Sequence, residues 1–596
     1  MTVTDPGFLT RPDLIGSFGM AASTHWISTA VAQSVLERGG NAIDAVVAAG
    51  FVMHVVEPHL NGPGGDLVAL VAPAGGEVRV VAGQGPAPRR ATLEHYRSLG
   101  LDSVPGAGAL AAAVPGAVEA WLWMLREHGT WDVADVLEYA IHYAEVGQPL
   151  SCQASGVIET MAGHFVEHWP TSADQWLVEG LAPPPGAVVA IAAYAATLRR
   201  LLAAAGSGDR VSRIEAVGKE WRTGFVARAV ERAAAQVHRH SDGGDYAGVI
   251  DAADLAALEI GAEEPVSLDF RGVTVCKAPF WSQGPVLLQA LAILDNFDDS
   301  DLDPGTEQGA HIVLEALKLA MADRDAYYGE AHDADHHLLR QILTPEYAKT
   351  RAALITEEAS AQWRPGAVEG LAPYIPPLRT ADPATTAIGT GEPTVRATGE
   401  TRGDTVHLDV VDRWGNMVSA TPSGGWLQSN PTIPELGFCL GTRLQMTWLD
   451  QRSPSLLQPG RRPRTTLSPT ILRRGSTVVS ALGSPGGDQQ DQWQLLYLLR
   501  TLVGGGTPQQ AIDAPMFHTT AVAQSFWPRE WTPRGVVVEK RIGANVIAGL
   551  RRRGHDVTVS GPWSLGRLST VARDMRTGLV SAAANPRGMQ GYASGR

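Results

Sequence analysis

The chain has 596 residues, and 48 lysines and arginines against 62 aspartates and glutamates leave a net charge of −14. That length allows about four average domains, and an acidic balance without a basic run argues against a nucleic-acid partner, because phosphate binding needs concentrated positive charge. The start carries no signal-peptide pattern, no apolar stretch reaches the roughly 20 residues that a membrane helix needs, and three scattered cysteines predict neither disulfides nor a zinc site. We therefore expect a cytoplasmic protein with no membrane contact.

Helices mixed with short strands are predicted for the first 360 residues. Asn41 is a typical N-cap for a helix over Ala42–Val56, and because this segment is apolar nearly all round, we expect it to be buried. A glycine-rich loop over 57–66 ends this helix, and residues 67–71 and 78–81 then predict a hairpin. The other predictions in this part are a strand at 272–276 and helices at 117–128, 131–143, 190–205, 286–297 and 311–328.

The composition changes at Ala361. Residues 361–404 contain six prolines, six glycines and seven threonines without an apolar period, which is typical of a linker or a processing segment. After Asp404 the pattern changes to strands: a half-buried strand over 406–411 forms a predicted hairpin with 417–421. A further strand at 477–482 precedes a predicted helix over 490–502.

Thr405 is the candidate nucleophile because it opens a predicted strand directly after this linker. If cleavage of the preceding peptide bond frees its α-amine, that amine has a pKa of about 7.7–8.0 and can take the proton of the Thr405 hydroxyl. The plainer alternative is an ordinary strand threonine after a loop. A polar, histidine-rich run at 332–337 has no defined ligand spacing, so neither a metal nor another cofactor is predicted.

Seven motifs in one order resemble the γ-glutamyltranspeptidase family of N-terminal-nucleophile hydrolases. They are Gly39-Gly40-Asn41-Ala42-Ile43-Asp44-Ala45, Glu57-Pro58-His59 with Gly62 and Gly64-Gly65, Asp323-Arg324, residues 405–412 with Gly415-Asn416, residues 462–470, residues 483–487, and Asp513-Ala514-Pro515. Together they extend over nearly the whole chain.

The resemblance implies an α+β protein with a four-layer αββα fold. It also implies self-cleavage between Asp404 and Thr405, so that 1–360 forms the large-subunit core, 361–404 a processing linker and 405–596 the small catalytic subunit. A homodimer of the processed heterodimer is possible. The resemblance implies that Thr405 is the nucleophile. Gly486 and Gly487 match the family's oxyanion-hole glycines. Thr421 and Ser423 match a pair of hydroxyl-bearing residues, one of which contacts the nucleophile.

The departures from the family pattern concern substrate binding. Gln84 stands where the family has an arginine for the substrate α-carboxylate, and Gly425 replaces an asparagine. In the segment that holds the α-amino group, Arg443 stands for a glutamine and Met446 for a carboxylate. The paired serines of the family correspond to Thr465-Thr466, and Arg443 and Arg464 are the candidate cations for an acidic substrate.

A site that has lost both the arginine for the α-carboxylate and the carboxylate for the α-amino group is poorly suited to a glutamyl group. The segment 486–493, together with the later segment 526–530, resembles the non-γ-glutamyl branch of the family, which includes proteins like oxamate amidohydrolase and cephalosporin acylase. We therefore expect an acylase or amidohydrolase for a small acidic or oxo-acid-type acyl substrate. The alternatives are a true γ-glutamyl transpeptidase or hydrolase, and a carbon–carbon bond hydrolase of antibiotic biosynthesis that removes an oxalyl-type group. A non-enzymatic scaffold that binds a small acid or a partner protein is the alternative outside the enzymes.

Overall fold

The computed structural model describes residues 8–330, 336–380, 394–395, 401–402 and 405–596. Asp404, the predicted residue before the cleavage point, therefore lies outside the described residues. The α-helices of the described part are α1 (Trp26–Glu37), α2 (Ala42–Val56), α3 (Leu93–Ser98), α4 (Ala117–His128), α5 (Val133–Val146), α6 (Cys152–His168), α7 (Pro170–Trp176), α8 (Ala192–Ala204), α9 (Arg210–Thr223), α10 (Phe225–Ala234), α11 (Ala252–Ala256), α12 (Pro285–Leu294), α13 (Glu307–Tyr327), α14 (His336–Leu339), α15 (Pro345–Ala352), α16 (Gln490–Leu498), α17 (Pro508–Asp513) and α18 (Ala544–Arg552).

The strands of the described part are β1 (Leu14–Gly16), β2 (Gly19–Ser23), β3 (Asp66–Ala72), β4 (Arg79–Gly83), β5 (Gln148–Pro149), β6 (Val188–Val189), β7 (His238–Arg239), β8 (Asp245–Tyr246), β9 (Ala262–Glu263), β10 (Val266–Phe270), β11 (Val273–Lys277), β12 (Thr394–Val395), β13 (Thr401–Arg402), β14 (Leu408–Asp412), β15 (Met417–Ser423), β16 (Thr470–Arg474), β17 (Thr477–Gly483), β18 (Phe517–Thr519), β19 (Gly535–Glu539), β20 (Asp556–Ser560), β21 (Ser569–Arg573), β22 (Val580–Ala584) and β23 (Tyr592–Gly595).

Two seven-stranded antiparallel sheets form the centre of the molecule. Sheet 1 has the order β23-β2-β14-β15-β3-β4-β9, and sheet 2 has the order β1-β22-β21-β17-β16-β11-β10. The central strands of sheet 1 pair with Leu408 opposite Ala420, and β15 continues onto β3. Both sheets therefore combine strands from before and after the proposed cleavage point.

Alternating apolar side chains cover both faces of sheet 1, because successive residues of a strand point to opposite faces. Leu408 and Val410 pack in the core that contains α1, α2, α4 and α5. Val411 packs instead with Ile471 and Val571 of sheet 2. The other face of sheet 2 is covered by α12, α13 and α16. These four layers confirm the predicted αββα fold.

Several predicted elements agree with the structure. Helix α2 spans Ala42–Val56, every one of its residues is buried, and Asn41 and Asp44 form a capping box at its start. The hairpin predicted from 67–71 and 78–81 is β3–β4. The predicted helix over 490–502 is α-helical only to Leu498 and continues as a π-helix over Leu499–Val503.

Two other predictions differ from the structure. Strand β14 is buried on both faces and not on one, because sheet 2 covers the face that carries His407 and Asp409. The first part of the predicted linker is packed: Gly366 donates its N–H to Asp323, and Tyr374 is buried. The division into 1–360, 361–404 and 405–596 stays a prediction.

In the described part of the chain, no helix has both the length and the apolar character needed to span a bilayer.

Candidate active site

Thr405 lies three residues before β14, in a short segment that runs along β15. It pairs with Ser423 at the end of β15, and the neighbouring Val406 N–H donates to the Pro422 carbonyl at 3.1 Å. The Thr405 hydroxyl donates to Ser423 Oγ at 3.1 Å, and both side chains are buried. The strand pairing thus places the candidate nucleophile beside one hydroxyl of the predicted Thr421–Ser423 pair.

A buried polar chain continues along the same face of β14 and β15. His407 Nδ1 lies 2.8 Å from Thr421 Oγ1, and His407 Nε2 lies 2.9 Å from Asp409 Oδ1. The second oxygen of Asp409 accepts a hydrogen bond from Ser569 at 2.9 Å. In a neutral imidazole, Nε2–H donates to the carboxylate, which leaves Nδ1 as the acceptor for the Thr421 hydroxyl.

The sequence prediction did not include His407 and Asp409. A signal was present, since polar residues at 405, 407 and 409 occupy one face of a strand whose other face is apolar. The alternation predicts a solvent-facing side, whereas both side chains are fully buried.

Gly486 and Gly487 form the turn between β17 and α16. Both have positive φ angles, 133° and 54°, and a Cβ added to them would lie 2.4 Å from the Trp493 ring and 2.9 Å from the Phe526 ring. The same turn begins at Gly483, whose added Cβ would lie 2.2 Å from His407 Cε1. Gly483 therefore lies against the polar chain, and the two glycines follow it at the start of a helix, where backbone N–H groups can bind an anionic oxygen.

Arg443 is ion-paired in the structure. Its guanidinium contacts Asp66 at 2.7 Å and 2.8 Å, and it donates to the Met446 sulfur at 3.5 Å. Asp66 lies at the start of β3, directly opposite Ser423 of β15. The prediction of Arg443 as a cation for an acidic substrate did not include this partner, which lies 377 residues away in the chain.

Arg464 is also paired with a carboxylate. It donates to Asp325 at 2.8 Å and to Ser525 at 3.0 Å, and it is buried. Arg324 forms ion pairs with the same Asp325 and with Asp488. The charge of Arg464 is therefore largely compensated within the protein.

Uncharged polar groups take the place of the family's charged ones. Gln84 donates its amide to the Pro463 carbonyl, and its own Oε1 has no hydrogen-bond partner among the described residues. The Thr466 hydroxyl likewise has none within the described part, whereas Thr465 Oγ1 accepts from Leu467 N. At Gly425, an added Cβ would lie 2.8 Å from Gly65 N, so this position offers no side chain to a substrate.

Glu57 lies buried behind the polar chain. Thr24 donates its hydroxyl to Glu57 at 2.8 Å and its N–H to the His407 carbonyl at 3.1 Å. Burial raises the pKa of Glu57 to about 7 and lowers the pKa of His59 to about 3. The predicted Glu57-Pro58-His59 motif therefore supports the strand that carries His407.

Among the described residues, one group of metal-binding side chains lies close together: His311, Glu315 and His555. His311 contacts His555 at 2.9 Å and the Thr356 carbonyl at 2.7 Å, which engages both of its ring nitrogens. Glu315 pairs with Lys318 and with Arg364. His311 and Glu315 are therefore engaged by other protein groups, whereas His555 Nδ1 has no hydrogen-bond partner among the described residues.

Four layers that place a strand-opening threonine between two sheets define an N-terminal-nucleophile hydrolase fold. The family model described as gamma-glutamyltranspeptidase matches residues 28–595. The chain belongs to the γ-glutamyltranspeptidase family and is a hydrolase.

Three similar proteins cover nearly the whole chain. The glutathione hydrolase-like YwrD proenzyme of Bacillus subtilis (strain 168) is 30% identical, over 96% of this chain and 98% of that protein. The oxamate amidohydrolase proenzyme of Klebsiella pneumoniae subsp. pneumoniae is 29% identical, over 98% of this chain and 99% of that protein. A solved structure described as LmbA2991T421A is 52% identical, has a TM-score of 0.92, and covers 99% of this chain and 100% of its own. These similarities support the acylase and amidohydrolase class within the family.

Proposed function

We propose that this protein is a self-processing N-terminal threonine hydrolase that removes a small oxo-acid-type acyl group through an ester on Thr405. The observation that carries the proposal is the buried hydrogen bond from the Thr405 hydroxyl to Ser423. The proenzyme names of two relatives support a precursor that is cut into large and small subunits.

Self-cleavage begins when the Thr405 hydroxyl attacks the carbonyl carbon of Asp404. The Thr405 nitrogen leaves that carbon and gains a proton, so the chain is joined by an ester. Water then hydrolyses the ester, which gives the Asp404 carboxylate and restores the Thr405 hydroxyl with a free α-amine. The small subunit produced in this way starts at Thr405 and ends at Arg596.

Turnover uses the new α-amine as the base. It takes the hydroxyl proton while the oxygen attacks the substrate carbonyl, and the proton then passes to the leaving amine. The N–H groups of Gly486 and Gly487 are suited to stabilise the negative oxygen that develops, a contribution typically worth about 10²–10³ in rate for one donor. Water completes the cycle and releases the acid; an acceptor amine in its place gives acyl transfer.

The side chains at the positions that bind substrate in the family favour an acyl group without the two charges of a free amino acid. Gln84 presents a neutral amide where the family has an arginine, and Met446 presents a thioether where the family has a carboxylate. Trp426, Met446 and Phe526 form one apolar cluster, and Phe526 contacts Gly487. The similarity to an oxamate amidohydrolase supports a small oxo-acid amide as the substrate class.

A γ-glutamyl substrate is the second candidate, and the Asp66–Arg443 pair favours it. This pair holds one negative and one positive group side by side, which is what an α-ammonium and an α-carboxylate require. The two groups are already bound to each other, so a substrate has to compete with an internal ion pair. Removal of an oxalyl-type group by carbon–carbon bond cleavage also starts with attack on a carbonyl and uses the same nucleophile.

The proposal is tested by comparing purified protein and Thr405→Ala on oxamate, an oxalyl anilide and a γ-glutamyl anilide. We expect two fragments and release of amine from the oxo-acid amides with the natural sequence, and one uncut, inactive chain with Thr405→Ala. Rapid turnover of the γ-glutamyl anilide alone would contradict the proposed substrate class. An intact chain without hydrolase activity would contradict the nucleophile.

A further inference from the structure

Arg529 is a buried arginine that has no carboxylate partner among the described residues. It lies in the loop between β18 and β19, is 2% exposed and has a positive φ of 63°. One of its amino groups donates to the carbonyls of Gln445 and Thr447, the latter at 2.6 Å. The other, Nη1, has no hydrogen-bond partner within the described residues.

The neighbouring buried arginines differ from Arg529 because each has a carboxylate partner. Arg324, Arg443 and Arg464 each contact an aspartate within 3.1 Å. Burying a guanidinium without an anion is costly, because the protein interior does not replace its hydration. Burial and the like charge of Arg464 lower the pKa of Arg529 to about 9. At neutral pH Arg529 is thus a protonated cation with one donor group unused.

Tyr374 supplies a second unused donor at the same place. Its hydroxyl is buried and has no partner in the part of the chain that the structure describes. Its ring centroid lies 6.1 Å from that of Trp448, and the Arg529 guanidinium carbon lies 3.8 Å from the Trp448 centroid. Burial raises the pKa of Tyr374 to about 12, so the hydroxyl keeps its proton.

Arg529 is linked to the candidate active site by its contacts with Gln445, Thr447 and Phe526. Gln445 and Thr447, which hold Arg529, flank Met446 of the apolar cluster with Phe526. The Arg529 N–H donates to the Phe526 carbonyl at 2.8 Å, and the Phe526 ring lies against Gly487. A ligand that reaches Arg529 is therefore close to the Met446–Phe526 cluster beside Gly487.

We propose that Arg529 and Tyr374 form a carboxylate-binding site, with Trp448 as its apolar platform, that takes the anionic group of the substrate. This inference rests on the proposed function and identifies the residues that select an acidic substrate. A carboxylate fits because it is planar, like the indole beside it, and accepts hydrogen bonds from two directions, which matches one guanidinium amino group and one hydroxyl. Arg443 and Arg464, the cations expected from the sequence, are already paired.

The test compares two substrates that differ only in charge: an oxalyl anilide with a free carboxylate and its methyl ester. Arg529→Gln is expected to lower kcat/KM for the carboxylate at least tenfold, mainly through KM, and to change the ester less than twofold. Tyr374→Phe is expected to lower it twofold to tenfold with the same selectivity. Arg452→Gln is the matched control, because Arg452 is an exposed arginine paired with Asp450, and it should leave both substrates unchanged.

Equal losses on both substrates, or no loss with Arg529→Gln, would overturn the assignment. If Arg529→Gln does not fold, Tyr374→Phe decides by the same comparison. If the unsubstituted protein hydrolyses neither compound, the proposed function fails, and calorimetric titration with oxamate then tests the site alone. Tenfold weaker binding to Arg529→Gln than to the unsubstituted protein supports the site, and equal binding or none overturns it.

Discussion

Replacing Ser423 with alanine removes the one side-chain hydroxyl that contacts the Thr405 hydroxyl in the described structure. The two oxygens lie 3.1 Å apart, and both side chains are buried. A neutral hydrogen bond of this kind contributes about 0.5–1.5 kcal/mol net. If the contact persists in the transition state, Ser423→Ala slows self-cleavage and lowers kcat/KM by about 2-fold to 13-fold, from RT of about 0.59 kcal/mol.

The assay measures the half-time of self-cleavage on a denaturing gel and kcat/KM of the processed enzyme. Ser419→Ala is the matched control, because Ser419 lies on the same face of β15, is fully buried and donates to the Leu482 carbonyl at 3.0 Å without contacting Thr405. It should cost stability without slowing either reaction. Ser423→Thr, which keeps a hydroxyl, should retain most of the rate.

Normal rates in Ser423→Ala would refute the role of this hydrogen bond. Equal slowing by Ser419→Ala would show that the loss reflects a general disturbance between the two sheets.

Three further predictions concern stability. The pKa of Glu57 is about 7 in the folded protein against the usual 4.5, so its titration lowers the free energy of unfolding by about 3 kcal/mol as pH rises from 4.5 to 7. Glu57→Gln should remove this contribution. Urea unfolding at pH 5 and pH 8 should therefore show a smaller difference in the variant than in the unsubstituted protein. Gly483→Ala should cost at least about 1–3 kcal/mol and displace His407, because the added Cβ would lie 2.2 Å from its ring; a circular dichroism melt with an unchanged midpoint would contradict this. Gly163→Ala should raise stability by about 0.5–1 kcal/mol, since Gly163 lies inside α6 with no atom within 4 Å of an added Cβ, and chemical denaturation measures the gain.

Local sequence patterns predicted those elements whose environment is set by neighbouring residues. Helix α2 follows from the Asn41 cap and a continuous apolar run, and the hairpin of β14 and β15 follows from alternation around a turn at 412–416. The order of the family motifs then implied the αββα layers. The family motif identifies Thr405 as the candidate nucleophile, and the strand pairing in the structure explains its contact with Ser423.

The rest depends on contacts between distant parts of the chain. Asp66 meets Arg443 across 377 residues, and Asp409 meets Ser569 across 160, so neither pair leaves a local pattern. Burial of His407 and Asp409 depends on sheet 2 covering β14, which alternation alone does not reveal. For the same reason, the sequence does not reveal that Arg464 has a carboxylate partner, whereas Arg529 has none among the described residues.

We expect Thr405 to become a new N-terminus and to carry the acyl group during turnover. Mass spectrometry of the protein quenched during turnover of an oxo-acid amide tests it directly. We predict fragments of about 43 and 20 kDa, dividing the 63.1 kDa chain in proportion to 404 and 192 residues, with the small fragment beginning at Thr405 and its acyl adduct on that residue. An uncut chain, or an adduct on any other residue, would contradict the account.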